Sequence, residues 1–280
     1  MRMRLILILL AAVAVSGCGS GSSAGAPGKT SVVAAFYPLS FAAEEIGGDG
    51  VDVTNMTPPG AEPHDVELSV RDVEKVRSAD VVLYLGNGFQ PSVERAVDGA
   101  EGESIDLLDG LAVRDRDPHV WLDPVRYEEI VHRIGEALER PAAAKGFSHR
   151  VERLDREFRR GLAHCERHEI VTSHEAFGYL AARYGLEQIA ITGVSPESEP
   201  TPRTLERVID EVRASGATTV FSEPLVSSRI ADTVARETGT RTAVLNPLEG
   251  PTDDELDRGE DYFSVMRENL AALRRALGCP

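Results

Sequence analysis

Three histidines stand in short polar stretches that are far apart along the chain. His64 lies in GAEPHD, His119 in DPHVWLDP and His174 in SHEAFGYL. Neutral imidazole is the commonest protein ligand for late first-row divalent metals, and three imidazoles leave a zinc site one ligand short of a tetrahedron. A lone histidine at the end of a strand is more often structural than a ligand. Three of them in polar, proline-braced loops favour a metal site.

The elements that must position these histidines follow an alternating pattern. Short β-branched runs alternate with amphipathic helical segments, which is typical of parallel α/β architecture. We predict two similar lobes, each with a mostly parallel four-stranded sheet flanked by helices. The predicted strands are SVVAAF, VDVTNM, DVVLYLG and SIDLL in the first half, and EIVTS, QIAITGV, TTVFSE and RTAVLN in the second. The predicted helices between them include SVRDVEKVRSA, FGYLAARYG, PRTLERVIDEVRASG and SRIADTVARETG.

A long polar segment between the two halves has helical periodicity. In residues 142–165, apolar residues recur at steps of three and four, so one helix of roughly six turns could connect the lobes. Such a helix would resist a wide hinge motion. An ordinary surface helix of the first lobe is the alternative.

Ligand sites in open parallel sheets form outside the carboxyl ends of the strands. His64 follows the second predicted strand, and His174 comes directly after the strand EIVTS. Glu223 and Asn246 end two later strands, so these four residues share one face of the fold by topology. His119 lies in a loop between two prolines, which suits a ligand that must be held still.

The amino terminus predicts export. Residues 1–18 combine two arginines with an apolar run from Leu5 to Val15 and end in Ser-Gly-Cys. The apolar run makes about 16 Å of helix, too short for a bilayer core of about 30 Å. The ending resembles a lipoprotein signal in which Cys18 becomes the lipidated first residue; ordinary cleavage with Cys18 left free is the alternative. Residues 19–29 have the composition of a flexible tether.

The net charge argues against some classes of partner, and the cysteines suggest a disulfide. The formal net charge is −16, which argues against nucleic acid or anionic lipid as the main partner. In an exported chain, Cys165 and Cys279 are expected to form a disulfide. The alternative joins Cys165 with His164 and His168 in a second metal site.

Several motifs in fixed order resemble one protein family. GAEPHDVELSVRDVEKVRSADVVLYLGNGF, DPHVWLDP and VTSHEAFGYLAARYGL are similar to the three ligand blocks of the metal-binding proteins of bacterial zinc and manganese ABC importers. These are the ZnuA-like solute-binding proteins, also called cluster 9 or cluster A-I. TTVFSEPLVSS and AVLNPLEG resemble the closing strands of the family, so the resemblance runs from about residue 31 to residue 278.

The resemblance implies a site and a function. It implies two lobes joined by one long helix, with a metal ion in the cleft held by His64, His119 and His174. A histidine at the third position is usual among zinc binders of the family, whereas manganese binders usually have a carboxylate there, in agreement with ligand chemistry. It also implies a lipid-anchored monomer outside the cytoplasmic membrane. Such a protein delivers Zn(II) to a permease and its ATPase.

The sequence as a whole predicts an organisation along the chain. The predicted segments are the signal peptide 1–18, the tether 19–29, the N-terminal lobe 30–141, the linking helix 142–165 and the C-terminal lobe 166–280.

The chain departs from the family pattern in two places. Asn246 in NPLEG stands where an aspartate ligand is common, so the fourth ligand could be water, Glu249 or the Asn246 carbonyl oxygen. Only residues 114–117 occupy the place of the histidine-rich acidic loop that many zinc members carry. Glu223 and Asp123 are candidates to accept hydrogen bonds from ligand imidazoles, although both could instead be helix caps or turn residues.

Other functions remain as alternatives. A manganese receptor of the same family is the nearest. A zinc hydrolase would use an open fourth position to activate water. Its HExxH motif, however, would need histidine where the chain has Gly178. A structural or adhesin lipoprotein is the third alternative, and we expect no enzymatic activity.

Overall fold

A computed structural model describes residues 28–114 and 116–280. The predicted signal segment with Cys18, and most of the predicted tether, lie outside the described residues.

The first lobe is built on a four-stranded parallel sheet. Its strand order is β2-β1-β3-β4. β1 pairs with β2 from Thr30 opposite Val51 to Ala34 opposite Asn55. The strands are β1 (Thr30–Ala34), β2 (Val51–Asn55), β3 (Val81–Tyr84) and β4 (Glu103–Asp106).

The second lobe repeats this arrangement. Its strand order is β6-β5-β7-β8, and all its pairings are parallel. The strands are β5 (Glu169–Thr172), β6 (Glu187–Ala190), β7 (Thr219–Ser222) and β8 (Arg241–Val244). The prediction of two similar α/β lobes is confirmed.

Helices cover both sheets, and local sequence sets many of their ends. Ser69 and Asp72 form a reciprocal capping box at the start of α2. Proline opens α3, α4, α5 and α7, where its missing N–H has no helical partner to lose. The helices are α1 (Tyr37–Gly47), α2 (Val70–Ser78), α3 (Pro91–Val97), α4 (Pro124–Ala137), α5 (Pro141–Gly161), α6 (Gly178–Tyr184), α7 (Pro202–Ser215), α8 (Arg229–Thr238), α9 (Asp253–Asp257) and α10 (Tyr262–Leu277).

The predicted long helix between the lobes is α5. It begins at Pro141 and ends at Gly161, four residues before the predicted end. Its buried face includes Phe147, Val151 and Phe158, at the spacing of a single apolar stripe. The ring of Phe158 stacks on Tyr184 of the second lobe at a centroid distance of 5.2 Å.

A second helix, α10, also spans the two lobes. Near its start, the Tyr262 ring stacks on Tyr127 of the first lobe with a centroid distance of 4.4 Å. Beyond its end, Cys279 is joined by a disulfide to Cys165, which lies between α5 and the first strand of the second lobe, β5. Two roughly parallel connections oppose a wide hinge motion more strongly than one helix would.

The apolar core reflects this double connection. The larger buried cluster is continuous from β1 and α1 of the first lobe to α6 and α10. A smaller cluster lies only in the second lobe, between its sheet and helices α7 and α8. Within the described residues, no helix has both the length and the apolar composition needed to span a bilayer.

Candidate metal centre

His64 lies in a short 3-10 turn, Pro63–Asp65, beyond the carboxyl end of β2. The Glu62 side chain accepts a hydrogen bond from the His64 backbone N–H at 3.3 Å and so caps the turn. The His64 ring stands edge-on to Phe89, with ring centroids 4.7 Å apart. Its side chain is 8% exposed, so this histidine closes the outer side of the site.

His119 is fixed by an acidic residue of its own loop. Asp117 Oδ1 accepts hydrogen bonds from the His119 backbone N–H at 3.0 Å and from ring Nδ1 at 2.6 Å. The ring is fully buried and lies 5.1 Å from Trp121, centroid to centroid. With a proton on Nδ1, the neutral ring points the lone pair of Nε2 into the cleft.

His174 follows β5 and is held by a neighbouring strand. Glu223, at the end of β7, accepts the His174 backbone N–H at 3.1 Å and ring Nδ1 at 2.6 Å. This ring is also fully buried, and its Nε2 lies 3.3 Å from Nε2 of His119. Glu223 thus occupies the position expected of an acceptor that orients a ligand, and that role stays a prediction.

Glu249 completes the group. Its Oε1 lies 3.2 Å from Nε2 of His64, 3.0 Å from that of His119 and 3.3 Å from that of His174. The side chain is 1% exposed. The preceding residue, Leu248, has φ +58°, in the left-handed region that a branched side chain rarely adopts. This turn directs Glu249 into the cleft between the lobes.

Four of the six distances between the four ligand atoms match the edge of a small tetrahedral site. Bonds of about 2.0–2.1 Å from zinc to nitrogen or oxygen give a tetrahedron with edges of about 3.3 Å. The three distances from Glu249 Oε1, and the Nε2 to Nε2 distance of 3.3 Å between His119 and His174, fall at 3.0–3.3 Å. All four ligand atoms lie within 4.8 Å of one another. Converging lone pairs repel each other unless a cation or protons lie between them, so this geometry suits a bound metal.

The electrostatics of the group suit a cation as well. Burial lowers the pKa of His174, but Glu249 and Glu223 more than offset it and raise that pKa well above its usual value. Burial also lowers the pKa of His119, but hydrogen bonds to Asp117 and Glu249 outweigh burial, so the pKa of His119 is raised above its usual value. Burial alone would raise the pKa of Glu249; the three imidazoles instead hold it well below its usual range. The carboxylate is therefore ionised.

A second carboxyl group lies beside this centre. Burial, followed by the charge of Glu249, raises the pKa of Glu62 to about 9. Its Oε2 is buried without a hydrogen-bond partner among the described residues. When no cation is bound, this raised pKa favours the protonated form of Glu62, which avoids a second negative charge next to Glu249.

The polar groups of Asn246 make hydrogen bonds to other residues, and Glu249 is the candidate that lies beside the three imidazoles. Its side-chain oxygen accepts the Leu248 N–H at 2.7 Å, and its side-chain nitrogen donates to Glu255 at 2.7 Å. Its backbone carbonyl accepts from Asn269 at 2.7 Å. The amide fixes the turn that precedes Glu249, which is why its polar groups are occupied.

Asp123 does not support a ligand histidine, which corrects the second prediction for an orienting carboxylate. It caps α4 through the Val125 N–H at 3.1 Å. It also forms a bidentate ion pair with Arg183 on α6, with a closest distance of 2.7 Å. The orienting carboxylate for His119 is Asp117, two residues before it.

Sequence reasoning missed Asp117, although a signal was present. An aspartate two residues before another residue can accept the N–H of that residue in an Asx turn, and Asp-Pro-His offers this spacing. Glu62 was also missed, since a glutamate before proline gives no sign of burial.

The second metal site considered at Cys165 is wrong. Cys165 is bonded to Cys279 across 114 residues of chain, which confirms the predicted pairing. His164 and His168 are exposed.

Comparison with known proteins identifies the family to which the chain belongs. The profile of the ZnuA family, described as zinc-uptake complex component A, periplasmic, matches residues 32–276. Zinc-binding protein AdcA of Streptococcus pyogenes is 33% identical over an alignment covering 89% of this chain and 56% of that protein. High-affinity zinc uptake system protein ZnuA of Bacillus subtilis is 31% identical, with 89% and 88% covered. The chain therefore spans little more than half the length of the AdcA relatives it matches.

Solved structures agree with this result. The laminin-binding protein Lmb of Streptococcus agalactiae, described as bifunctional with adhesin and metal transporting activity, has a TM-score of 0.80 at 30% identity, covering 89% of this chain and 99% of that one. The Zn(II)-bound ZnuA-like domain of Streptococcus pneumoniae AdcA has a TM-score of 0.75 at 32% identity, with 89% and 99% covered. Profile, sequence relatives and fold all confirm the resemblance seen in the ligand motifs, and the chain belongs to the ZnuA family.

Proposed function

We propose that this protein is the extracytoplasmic substrate-binding protein of a metal ABC importer, which captures Zn(II) between its lobes and delivers it to a permease. The names of its relatives, zinc-binding protein AdcA and zinc uptake system protein ZnuA, support zinc as cargo. The proposed ligands are His64, His119, His174 and Glu249.

One observation carries the proposal. Four potential ligand atoms from both lobes lie within 4.8 Å of one another, and four of the six distances between them are 3.0–3.3 Å, close to the edge of a zinc tetrahedron. Three of the four side chains are no more than 1% exposed. A lining of three imidazoles and one carboxylate also favours zinc over manganese, because manganese prefers sites rich in oxygen ligands. Manganese remains the alternative cargo of the same protein class.

The division of ligands between the lobes supports capture and release. His64 and His119 come from the first lobe, and His174 and Glu249 from the second. Separation of the lobes therefore pulls the ligand set into two halves, and neither half alone fills a tetrahedral site. The permease and its ATPase are the proposed partners that drive this separation.

The ligand set also supports a binding protein rather than an enzyme. Catalytic zinc sites keep a position open for water, whereas structural sites fill all four with protein groups. Here the fourth group is the carboxylate of Glu249, at 3.0–3.3 Å from each imidazole. We therefore propose a closed site that binds and releases the ion without chemistry on a second substrate.

We further propose that the protein is exported and lipid-anchored at Cys18 on the outer face of the cytoplasmic membrane, or is periplasmic. The predicted segments support this: a signal peptide at 1–18 and a tether at 19–29. The lobes at 30–141 and 166–280 and the linking helix at 142–165 complete the proposed organisation. A relative from Streptococcus pneumoniae is named zinc-binding lipoprotein AdcA.

The proposal is tested by titration calorimetry of the mature chain with Zn(II). We expect tight binding of one ion per chain in the wild type and loss of tight binding in His174→Ala. His149→Ala is the matched control, because His149 lies on the exposed face of α5 with 60% of its side chain accessible. Unchanged tight binding in His174→Ala would refute the ligand set.

An adhesin is the alternative from another class, since two similar structures are described as laminin-binding proteins. Deletion of the gene separates the two functions. Transport predicts poor growth under zinc limitation that is restored by the wild type and not by His174→Ala. Normal growth, together with loss of binding to immobilised laminin, favours the adhesin.

A further inference from the structure

A helix of the second lobe contacts the loop that carries His119. Tyr179, the second residue of α6, is 2% exposed. Its hydroxyl accepts a hydrogen bond from the Arg114 backbone N–H at 2.7 Å and donates one to the Asp117 backbone oxygen at 3.0 Å. One buried hydroxyl group therefore holds two backbone groups of the other lobe.

Two contacts made by arginine side chains hold α6 in this position. The guanidinium carbon of Arg126 lies 4.6 Å from the centroid of the Tyr179 ring, a cation–π contact. Arg183, one turn further along α6, pairs with Asp123 at the start of α4. Both contacts join the second lobe to the first, so they exist only while the lobes are together.

The residue held by Tyr179 is the one that orients His119. Asp117 Oδ1 lies 2.6 Å from the ring Nδ1 of His119 and fixes which nitrogen points to the metal. The backbone of α6 approaches closely here, since a Cβ atom added at Gly178 would lie 3.3 Å from Asp117 Oδ2. The position of Asp117 thus depends on a helix that is not part of its own lobe.

We propose that Tyr179 is a positioning residue that couples closure of the lobes to the alignment of His119, an inference that rests on the proposed function. His174 and Tyr179 lie on one continuous segment, five residues apart. When the lobes meet, that segment delivers an imidazole to the metal and a hydroxyl to the Asp117 loop together. When they part, Asp117 loses this support, and the site weakens as a unit.

The first experiment compares two tyrosines of the same helix. Tyr179→Phe removes the bridging hydroxyl and keeps the ring. Tyr184→Phe is the matched control, because the Tyr184 hydroxyl binds Asp155 at 3.2 Å and does not reach the Asp117 loop. With Zn(II) as the probe, we expect Tyr179→Phe to bind about tenfold more weakly, chiefly through faster dissociation, as changes to groups that orient ligands typically do. Tyr184→Phe is expected to stay within about twofold of the wild type.

A double-mutant cycle with Asp117→Ala measures the interaction free energy between the two residues. A purely structural role of Tyr179 would give no such interaction. We expect Tyr179→Phe to add little to the loss of affinity in Asp117→Ala, because it acts through that residue. The visible absorption of bound Co(II), which reports ligand geometry, is expected to change in Tyr179→Phe and not in Tyr184→Phe.

The outcomes separate the inference from the proposed function. A wild type that binds no zinc would overturn the proposed function itself. If the wild type binds zinc tightly and Tyr179→Phe has unchanged affinity, only the role of Tyr179 is overturned. The same holds if the affinity losses of Tyr179→Phe and Asp117→Ala are fully independent, so that the double variant shows the product of the two.

Discussion

The two lobes share one strand order and each orients one buried histidine with a carboxylate, but His64 of the first lobe is held differently from His174 of the second. In the first lobe, the His64 ring is 8% exposed and rests edge-on against Phe89. In the second lobe, His174 is fully buried and its Nδ1 lies 2.6 Å from Glu223. Equivalent topology therefore brings ligands to the same edge of each sheet, whereas the neighbours of each ring decide how firmly it is oriented.

The lobes also differ in how they are stabilised. The apolar core of the first lobe belongs entirely to the larger buried cluster. The apolar core of the second lobe is divided between that cluster and a smaller one of its own. The disulfide joins residues on the second-lobe side alone, and residues 30–161 contain no cysteine. The second lobe thus has a covalent link where its own core is smaller.

The largest expected effect comes from removing a fully buried ligand that a carboxylate orients. A four-ligand zinc site is worth about 10–16 kcal/mol, so His174→Ala should cost about 3–4 kcal/mol, or about 100- to 1000-fold in affinity. It also leaves Glu223 buried without its partner. His64→Ala should cost about tenfold less, because water can enter at the partly exposed side. Competition titrations with a chelator measure both losses. Equal losses would contradict the difference between His64 and His174.

The disulfide gives the next largest effect. Replacing Cys165 and Cys279 together by serine should lower the free energy of unfolding by about 2–4 kcal/mol, since the unfolded chain loses its cross-link. Zinc affinity should change little, because the bond lies away from the site. Urea unfolding with and without reductant provides the control: reductant should destabilise the wild type and leave the double variant unaffected. A double variant as stable as the oxidised wild type would be inconsistent with this role.

The orienting carboxylates should have a smaller effect on affinity. Glu223→Gln keeps an oxygen acceptor but removes the charge that supports the imidazole, and we expect zinc affinity to fall about 10- to 100-fold. Asp117→Asn should behave alike in the first lobe. Glu237→Gln, an exposed change on α8, serves as the control. If Glu223→Gln matched this control in calorimetry, the contact would have no role in binding.

The pH dependence sharpens the same comparison. Zinc needs neutral imidazoles, so protons compete with it below the pKa of each ring. The surrounding carboxylates raise the pKa values of His119 and His174 above 6.5, whereas burial lowers that of His64. Zinc affinity should therefore be greatest at high pH. As the pH is lowered, the affinity should begin to fall before pH 6.5 is reached. We expect a loss of about tenfold between about pH 7.5 and about pH 6.5. An affinity that stays constant over this range would show that the rings bind no protons in the free protein.

Much of this arrangement could be predicted from sequence. The alternation of β-branched runs and amphipathic segments predicted all eight strands within a few residues, because parallel sheets buried on both faces need such runs. The ends of parallel strands also predicted that His64 and His174 share a face. These features depend on periodicity and topology, which sequence carries directly.

The remaining details depend on loop conformation. Arg116 and Leu248 both have φ values in the left-handed region, and they turn the chain so that Asp117 and Glu249 face the site. Non-glycine residues give no sequence sign of such a turn. For this reason the sequence alone leaves the fourth group open between Glu249, Asn246 and water, and it indicates Asp123 in place of Asp117.

The central claim is that one divalent ion is held by groups from both lobes. The most direct measurement is a crystal of the zinc-loaded protein with anomalous scattering recorded at the zinc edge. We predict a single strong peak about 2.0–2.2 Å from Nε2 of His64, His119 and His174 and from an oxygen of Glu249. A peak bound by other residues, or none between the lobes, would contradict it.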